Sequence, residues 1–358
     1  MAGTRSTLAV LLRRQADANA DGFTVEVECG PENDYDGRLG LRISAIFVIL
    51  VGSLLGALVP IILARSSRVA FPRTAFFIAK YFGSGVIVAT AFIHLLAPAV
   101  EALTSPCLDE DSPITQYSWP EGIALMTVFF MFFVELISSR YGIPGFSKPA
   151  GESEKETEID SERGDASGTM VTAQEATQTD DRHLSHAGEH TELESMAMQM
   201  TAIFILEFGV IFHSIFIGLT LAVSGDEFVV LYIVLVFHQC FEGLGLGSRL
   251  AVATWPAGKE WVPYFLGVLY ALSTPIAIAA GLGVRESLAP GSSSTLIING
   301  VFDSISAGIL LYTGLVELMA HEFLFNSEMR RSPISVTLAA FACMSLGAGL
   351  MALLGKWA

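Results

Sequence analysis

Charged side chains are scarce in this chain. They make up 16% of 358 residues, against 52% hydrophobic, where average usage is about 25% charged. That shortage excludes an ordinary water-soluble domain of this length. Basic residues are scarcer than acidic ones, 20 Lys and Arg against 36 Asp and Glu. The resulting net charge of −16 argues against nucleic-acid partners and for attraction of cations. Cysteines number four, at 29, 107, 240 and 343. The first two fall in segments expected outside the membrane, where they either form one Cys29–Cys107 disulfide or stay unpaired; spacing alone fixes no pairing. No signal peptide is evident, since the run Leu8–Leu12 is shorter than the usual apolar core of about 7–15 residues. The apolar segments also lack the two-residue alternation of barrel strands, which leaves α-helices as the only way to satisfy every backbone polar group in lipid.

What is abundant is long apolar runs. They fall at 41–64, 75–98, 121–139, 200–223, 228–248, 262–284, 296–320 and 334–355, each near the ~20 residues that cross a bilayer as helix. The sequence therefore predicts an all-α integral membrane protein with an eight-helix bundle. Its parts are an N-terminal segment 1–40, three helices within 41–140, a loop at 141–198 and five helices within 199–358. Basic residues mark the loops expected in the cytoplasm: Arg65, Arg68 and Arg73, then Arg249 and Lys259, then Arg330 and Arg331. Residues 99–120 contain no Lys or Arg, and both termini are accordingly expected outside. Arg38 and Arg42, just ahead of the first run, oppose that assignment.

The loop at 141–198 is acidic, with thirteen Asp or Glu against three Lys or Arg between Glu152 and Glu194. Such a tract cannot bury enough apolar surface to order itself. His183, His186 and His190 lie near its end, beside Asp180, Asp181 and Glu189. They form a weak divalent-ion tract suited to buffering or sensing, or are incidental histidines of a solvated linker.

Ionisable residues at bilayer depth are costly and mark functional sites by default. Two runs carry them: His213-Ser214-Ile215-Phe216-Ile217-Gly218 in the fourth segment and His238-Gln239-Cys240-Phe241-Glu242-Gly243 in the fifth. Residues four apart share a helix face, so His238 and Glu242 point together, and His213 adds a second imidazole from the neighbouring helix. Two imidazoles and a carboxylate suit zinc, and also accommodate ferrous iron or manganese. Ser214 and Gln239 offer further oxygens or orient the ligands. Gly218, Gly243, Gly245 and Gly247 let helices approach closely around a small ion. Pro275 is expected to break or kink the sixth helix. Glu207 shares a face more with Ser214 than with His213 and reads as a structural or proton-linked carboxylate.

The paired motifs, with Leu206-Glu207-Phe208-Gly209 and Tyr312-Thr313-Gly314-Leu315-Val316-Glu317, resemble the ZIP family of zinc and iron transporters. The likeness is to its fungal plasma-membrane zinc-uptake branch and covers essentially residues 35–358. The resemblance implies a three-plus-two-plus-three arrangement with inverted pseudo-symmetry, likeness to proteins that form homodimers, and transport of metal held by His213, His238 and Glu242, with Ser214 and Gln239 beside them. Places that hold a second ion in some relatives are Ile217 and, by a looser alignment, Thr274 here, which points to one principal ion.

With both termini outside, His94 lies toward the outer mouth with Glu101 beyond. Asp303 lies near the outer end of the seventh helix and Glu317 and His321 near its inner end, on nearly one α-helical face. These four, His94, Asp303, Glu317 and His321, form the expected entry and exit path. No cofactor is expected beyond the transported Zn2+, or Fe2+ or Mn2+, and the partners are the ion and the lipid bilayer. An enzyme is disfavoured: an intramembrane metalloprotease needs His-Glu-x-x-His, and His321-Glu322-Phe323-Leu324-Phe325 lacks the second histidine. A metal-responsive receptor using the acidic loop is the alternative of another class.

Overall fold

A computed structural model describes residues 29, 35–66, 72–141, 176–285 and 291–357. Eight helices among them are long and apolar enough to cross a membrane: α1 Leu39–Arg65, α2 Thr74–Leu103, α3 Trp119–Ser138, α4 Gln199–Val223, α5 Phe228–Val252, α6 Val262–Gly283, α7 Ser293–Arg331 and α8 Ile334–Leu354. No strand occurs among the described residues. The chain is all-α with eight candidate spans, as the apolar runs predict.

The helical backbone of α4 extends back to Ala176, into the stretch read as a loop. Residues 142–175 and the side chains of 176–198 lie outside the described residues, and with them His183, His186 and His190. The chain divides into two compact units. The smaller, 133–202, holds a Ser138–Thr201 hydroxyl contact. The larger, comprising the remainder, carries every other feature below.

Within the larger unit α1 packs on α5 and α6, while α2 packs on α5 and α8. Glycines set the closest approaches. A Cβ on Gly245 would sit 2.9 Å from the Gly83 carbonyl oxygen, and one on Gly56 would strike the backbone of Cys240. The pairings give the directions: Gly52 faces Val236 and Gly56 faces Cys240, so α1 and α5 run together. Gly83 opposite Gly245, with His94 against His238, makes α2 antiparallel to α5. Gly218 against Thr274, with Gly281 against Ala222, makes α4 and α6 parallel. The larger unit thus has a first end, carrying the start of α1, the end of α2, the 224–227 turn and the end of α8. Its second end carries the 253–261 and 326–333 connections.

Near the first end Ala45, Ile49, Leu221, Ala222, Phe228, Leu235, Ile278 and Leu282 form one apolar core. Arg42 is wholly buried beside it. Its guanidinium pairs with Asp36 at 2.8 Å and donates to the carbonyls of Leu221, Ala222 and Ser224 at 3.1, 3.0 and 2.5 Å. Those are carbonyls of the last turn of α4 and the residue after it, where helical partners run out and a cation is favoured. Arg42 is therefore a clamp within the protein rather than a loop charge, which removes half of the conflict with the charge rule.

Two helices depart from α-geometry. Residues Thr90–Leu96 of α2 and Thr313–Phe325 of α7 are π-helical. Pro275 does not interrupt α6, which is continuous from Val262 to Gly283. Cys29 and Cys107 form a disulfide.

Candidate metal centre

Helix α4 supplies His213 near its middle and α5 supplies His238 and Glu242 one turn apart. A ligand atom from each lies within 4.8 Å of the others. His238 Nε2 and Glu242 Oε1 are 3.4 Å apart, and the His213 and His238 rings lie 5.6 Å centre to centre. All three residues are at most 1% exposed. None of their six nitrogen and oxygen atoms has a hydrogen-bond partner. Buried polar groups are nearly always satisfied, and an unpaired one costs about 1–3 kcal/mol, more when charged. Three such side chains converging on one point form a donor set with the number and type of ligands that a catalytic or transport zinc site uses, leaving room for a further ligand.

The surrounding groups hold this set in place. Gln239 Nε2 donates to Ser214 Oγ at 3.2 Å, tying α5 to α4 beside the ligands. Tyr270 of α6 donates its hydroxyl to the Gln239 carbonyl at 2.6 Å. Gln239 Oε1 and Thr274 Oγ1 are buried without partners. The Gln239–Ser214 hydrogen bond ties the two ligand-bearing helices together, and Gln239 Oε1 stays available as a further oxygen. Glu207 is 2% exposed, and both its oxygens lack a hydrogen-bond partner.

His94 lies on the π-helical stretch of α2, its ring 4.8 Å from that of His238. Its Nε2 is 3.1 Å from the Met351 carbonyl of α8, which can only accept; Nε2 therefore carries the proton and Nδ1 has the lone pair. A cavity of about 480 Å³ runs from the first end down to His94 and His213. Glu101, Glu227, Lys356 and Trp357 line it toward the first end, and Asp303, Asn299, Phe216, Ile217 and Thr220 line it further.

Glu317 and His321 lie away from this cavity, Glu317 Oε2 being 3.2 Å from His321 Nδ1. Asp303 stands in the cavity, so α7 brings the three to two separate places. The π-helical turn after Tyr312 is wider than the α-helical one, and the α-period that aligns residues 303, 317 and 321 does not continue through it. Sequence reasoning did not single out Lys80, Arg249 and Glu322 as a group. Lys80 Nζ is 2.6 Å from Glu322 Oε2 and Arg249 Nη1 3.6 Å from Glu322 Oε1, joining α2, α5 and α7 near the second end. The clue available was spacing: Arg249 follows Glu242 by seven residues, on the same face two turns on.

Near the first end the Arg42 guanidinium, chiefly through its hydrogen bond, holds the Asp36 carboxyl below the ordinary aspartate range. Near the second, backbone hydrogen bonds hold the Glu260 carboxyl low.

Residues 39–355 match the family model described as ZIP Zinc transporter. The chain is similar to zinc-regulated transporter 1 of Saccharomyces cerevisiae, 44% identical across 91% of this chain and 89% of that protein. Zinc-regulated transporter 2 of the same yeast is 40% identical across 92% and 97%. Zinc-regulated transporter 1 of Schizosaccharomyces pombe is 41% identical across 97% and 92%.

Proposed function

The chain belongs to the ZIP family of zinc transporters, and from that premise we propose that it takes up Zn2+ across the plasma membrane through His213, His238 and Glu242. The first end faces outside and the second faces the cytosol, because the basic residues of the connections, Arg65, Lys259, Arg330 and Arg331, gather at the second end. Zinc is the cargo favoured over ferrous iron or manganese by the names its relatives carry.

The observation that supports the reading is the meeting of three buried, hydrogen-bond-free ligands beside a cavity open toward one end. A cation drawn to Glu101 and Glu227 passes Asp303 and His94 and exchanges water for the two imidazoles and the carboxylate. Three ligands without a fourth from protein hold a divalent ion firmly enough to strip water and loosely enough to let it leave. Alternating access then carries it inward, α4 and α5 shifting against the other helices until the ligands open toward Glu317 and His321. The acidic segment 141–198 is the cytosolic loop of this scheme, and its histidines buffer ions after release.

Zn2+ influx into proteoliposomes containing the full-length protein tests this. His238→Ala and Glu242→Gln should each lower influx by at least roughly a hundredfold, the upper end of the loss on removing an outer-shell partner of a metal ligand. Gln239→Ala should lower it by about tenfold through loss of orientation. Influx at the parent rate in both ligand variants would overturn the assignment.

A further inference from the structure

The cavity beside the ligands opens toward the first end, and on the opposite side of the ligands one side chain joins three helices. Arg249 stands seven residues beyond Glu242 on α5, on the same face and about 10 Å farther along the axis. It therefore lies directly on the inward side of the ligands. Its side chain is 13% exposed, and it reaches two other helices: Nη2 donates to Ser84 of α2 at 2.9 Å and Nη1 lies 3.6 Å from Glu322 of α7. A guanidinium there repels a divalent cation.

Glu322 has a second and tighter partner, Lys80 of α2, at 2.6 Å. That pair and the edge-to-face contact of Tyr81 with Phe323 bind α2 to α7 without any part of α5. The two cations on Glu322 thus differ in kind. Lys80 holds α2 to α7, whereas Arg249 alone brings in the helix that carries His238 and Glu242.

We propose that Arg249 is the inner gate of the transport pathway, closed by its ion pair with Glu322 and opened when α5 carries it away while Lys80 stays behind as the counter-ion. The arrangement removes one part of the cost of opening, that of stranding the Glu322 carboxylate. Removing one partner of a buried ion pair is usually costly because the other charge is left alone, but here the Glu322 carboxylate keeps Lys80. Arg249 is also loosely held, since its Nε has no hydrogen-bond partner among the described residues. The proposal rests on the transport reading for its meaning; its test does not depend on zinc movement.

A cysteine at Leu246, 1% exposed and between Glu242 and Arg249 on α5, reports opening toward the second end. A cysteine at Thr220, in the cavity, reports opening toward the first. Each is placed in the full-length protein with Cys240→Ala and Cys343→Ala, and labelled from each side of sealed vesicles with a membrane-impermeant maleimide. Arg249→Gln and Glu322→Gln should speed labelling at Leu246→Cys from the second end by roughly tenfold and slow labelling at Thr220→Cys, as a shifted two-state equilibrium requires. Arg249→Lys should stay near the parent, and Lys80→Gln should slow the inner reporter by leaving Glu322 to Arg249 alone. Unchanged labelling at Leu246→Cys in both Gln variants would overturn the gate, as would faster labelling at both reporters, the mark of a loosened fold. Parent zinc influx, measured on the same vesicles, tells failure of the gate from failure of the transport reading.

Discussion

At the residue scale, a side chain's worth here depends on what remains when it is removed. Arg42 satisfies three carbonyls at the end of α4 and neutralises Asp36 while wholly buried. Its guanidinium also lies over the rings of Tyr35 and Phe228. Arg42→Leu keeps the apolar contact but leaves the carbonyls unpaired, so it should cost on the order of 3 kcal/mol, seen as a fall in detergent melting temperature. Acid should act differently. The Asp36 carboxyl is held below its ordinary value, so the clamp's contribution is complete above the unfolded value near ~3.9 and is lost only as pH falls through the lower folded one. The melting temperature difference between parent and Asp36→Asn should therefore stay constant from pH 7 to about pH 5 and shrink only in stronger acid; a difference that fades within that interval would contradict the clamp. His213, His238 and Glu242 could be read from the chain because a charge amid twenty apolar residues stands out. Arg42, Lys80 and Glu322 could not be, because a charge near the end of a run looks like an interface anchor whether it meets water or a buried partner, and Arg249 offered only its seven-residue spacing from Glu242.

At the scale of helices, the spans were legible and their internal geometry was not. Apolar runs give length directly, and the seven-residue spacing of His238, Glu242 and Gly245 gives one face of α5. The seventh apolar run ends at 320, where His321 and Glu322 break the pattern, yet the helix continues to Phe325. Glu322 there meets Lys80 and Arg249. The π-helical stretches around His94 and Glu317 leave no mark in composition. Pro275 marks a lost backbone donor, and α6 tolerates it because packing against α1 and α4 supports the turn. Glycine spacing was more informative. Gly245 faces Gly83 backbone to backbone, one turn from Glu242, so a methyl group there must part α2 from α5. Gly245→Ala should destabilise by about 1–3 kcal/mol, the usual cost of overpacking. Gly283→Ala, where a Cβ meets nothing within 4 Å, should leave the melting temperature unchanged, and equal effects at both positions would show that propensity rather than contact governs.

For the molecule as a whole, orientation reduces to one binary question, because several features share one end. The Cys29–Cys107 disulfide, the acids Glu101 and Glu227, the cavity mouth and the C-terminal Lys356 and Trp357 all belong to the first end. The basic connections belong to the other, where Arg65 donates to the Glu260 carbonyl at 2.5 Å. The basic loops of the sequence point the same way; Arg38 and Arg42 oppose it, but Arg42 is enclosed within the protein. Each remaining observation favours the first end outside: a disulfide persists in an oxidising exterior, acids at the mouth concentrate a cation drawn from dilute solution, and Lys and Arg are retained in the cytoplasm. An epitope appended after Ala358 should therefore bind antibody on intact cells as well as on permeabilised ones. An epitope inserted at Gly258, an exposed turn of the α5–α6 connection with φ of +78°, should bind only after permeabilisation. The reverse pattern would turn the cavity toward the cytosol and make the same ligands those of an exporter.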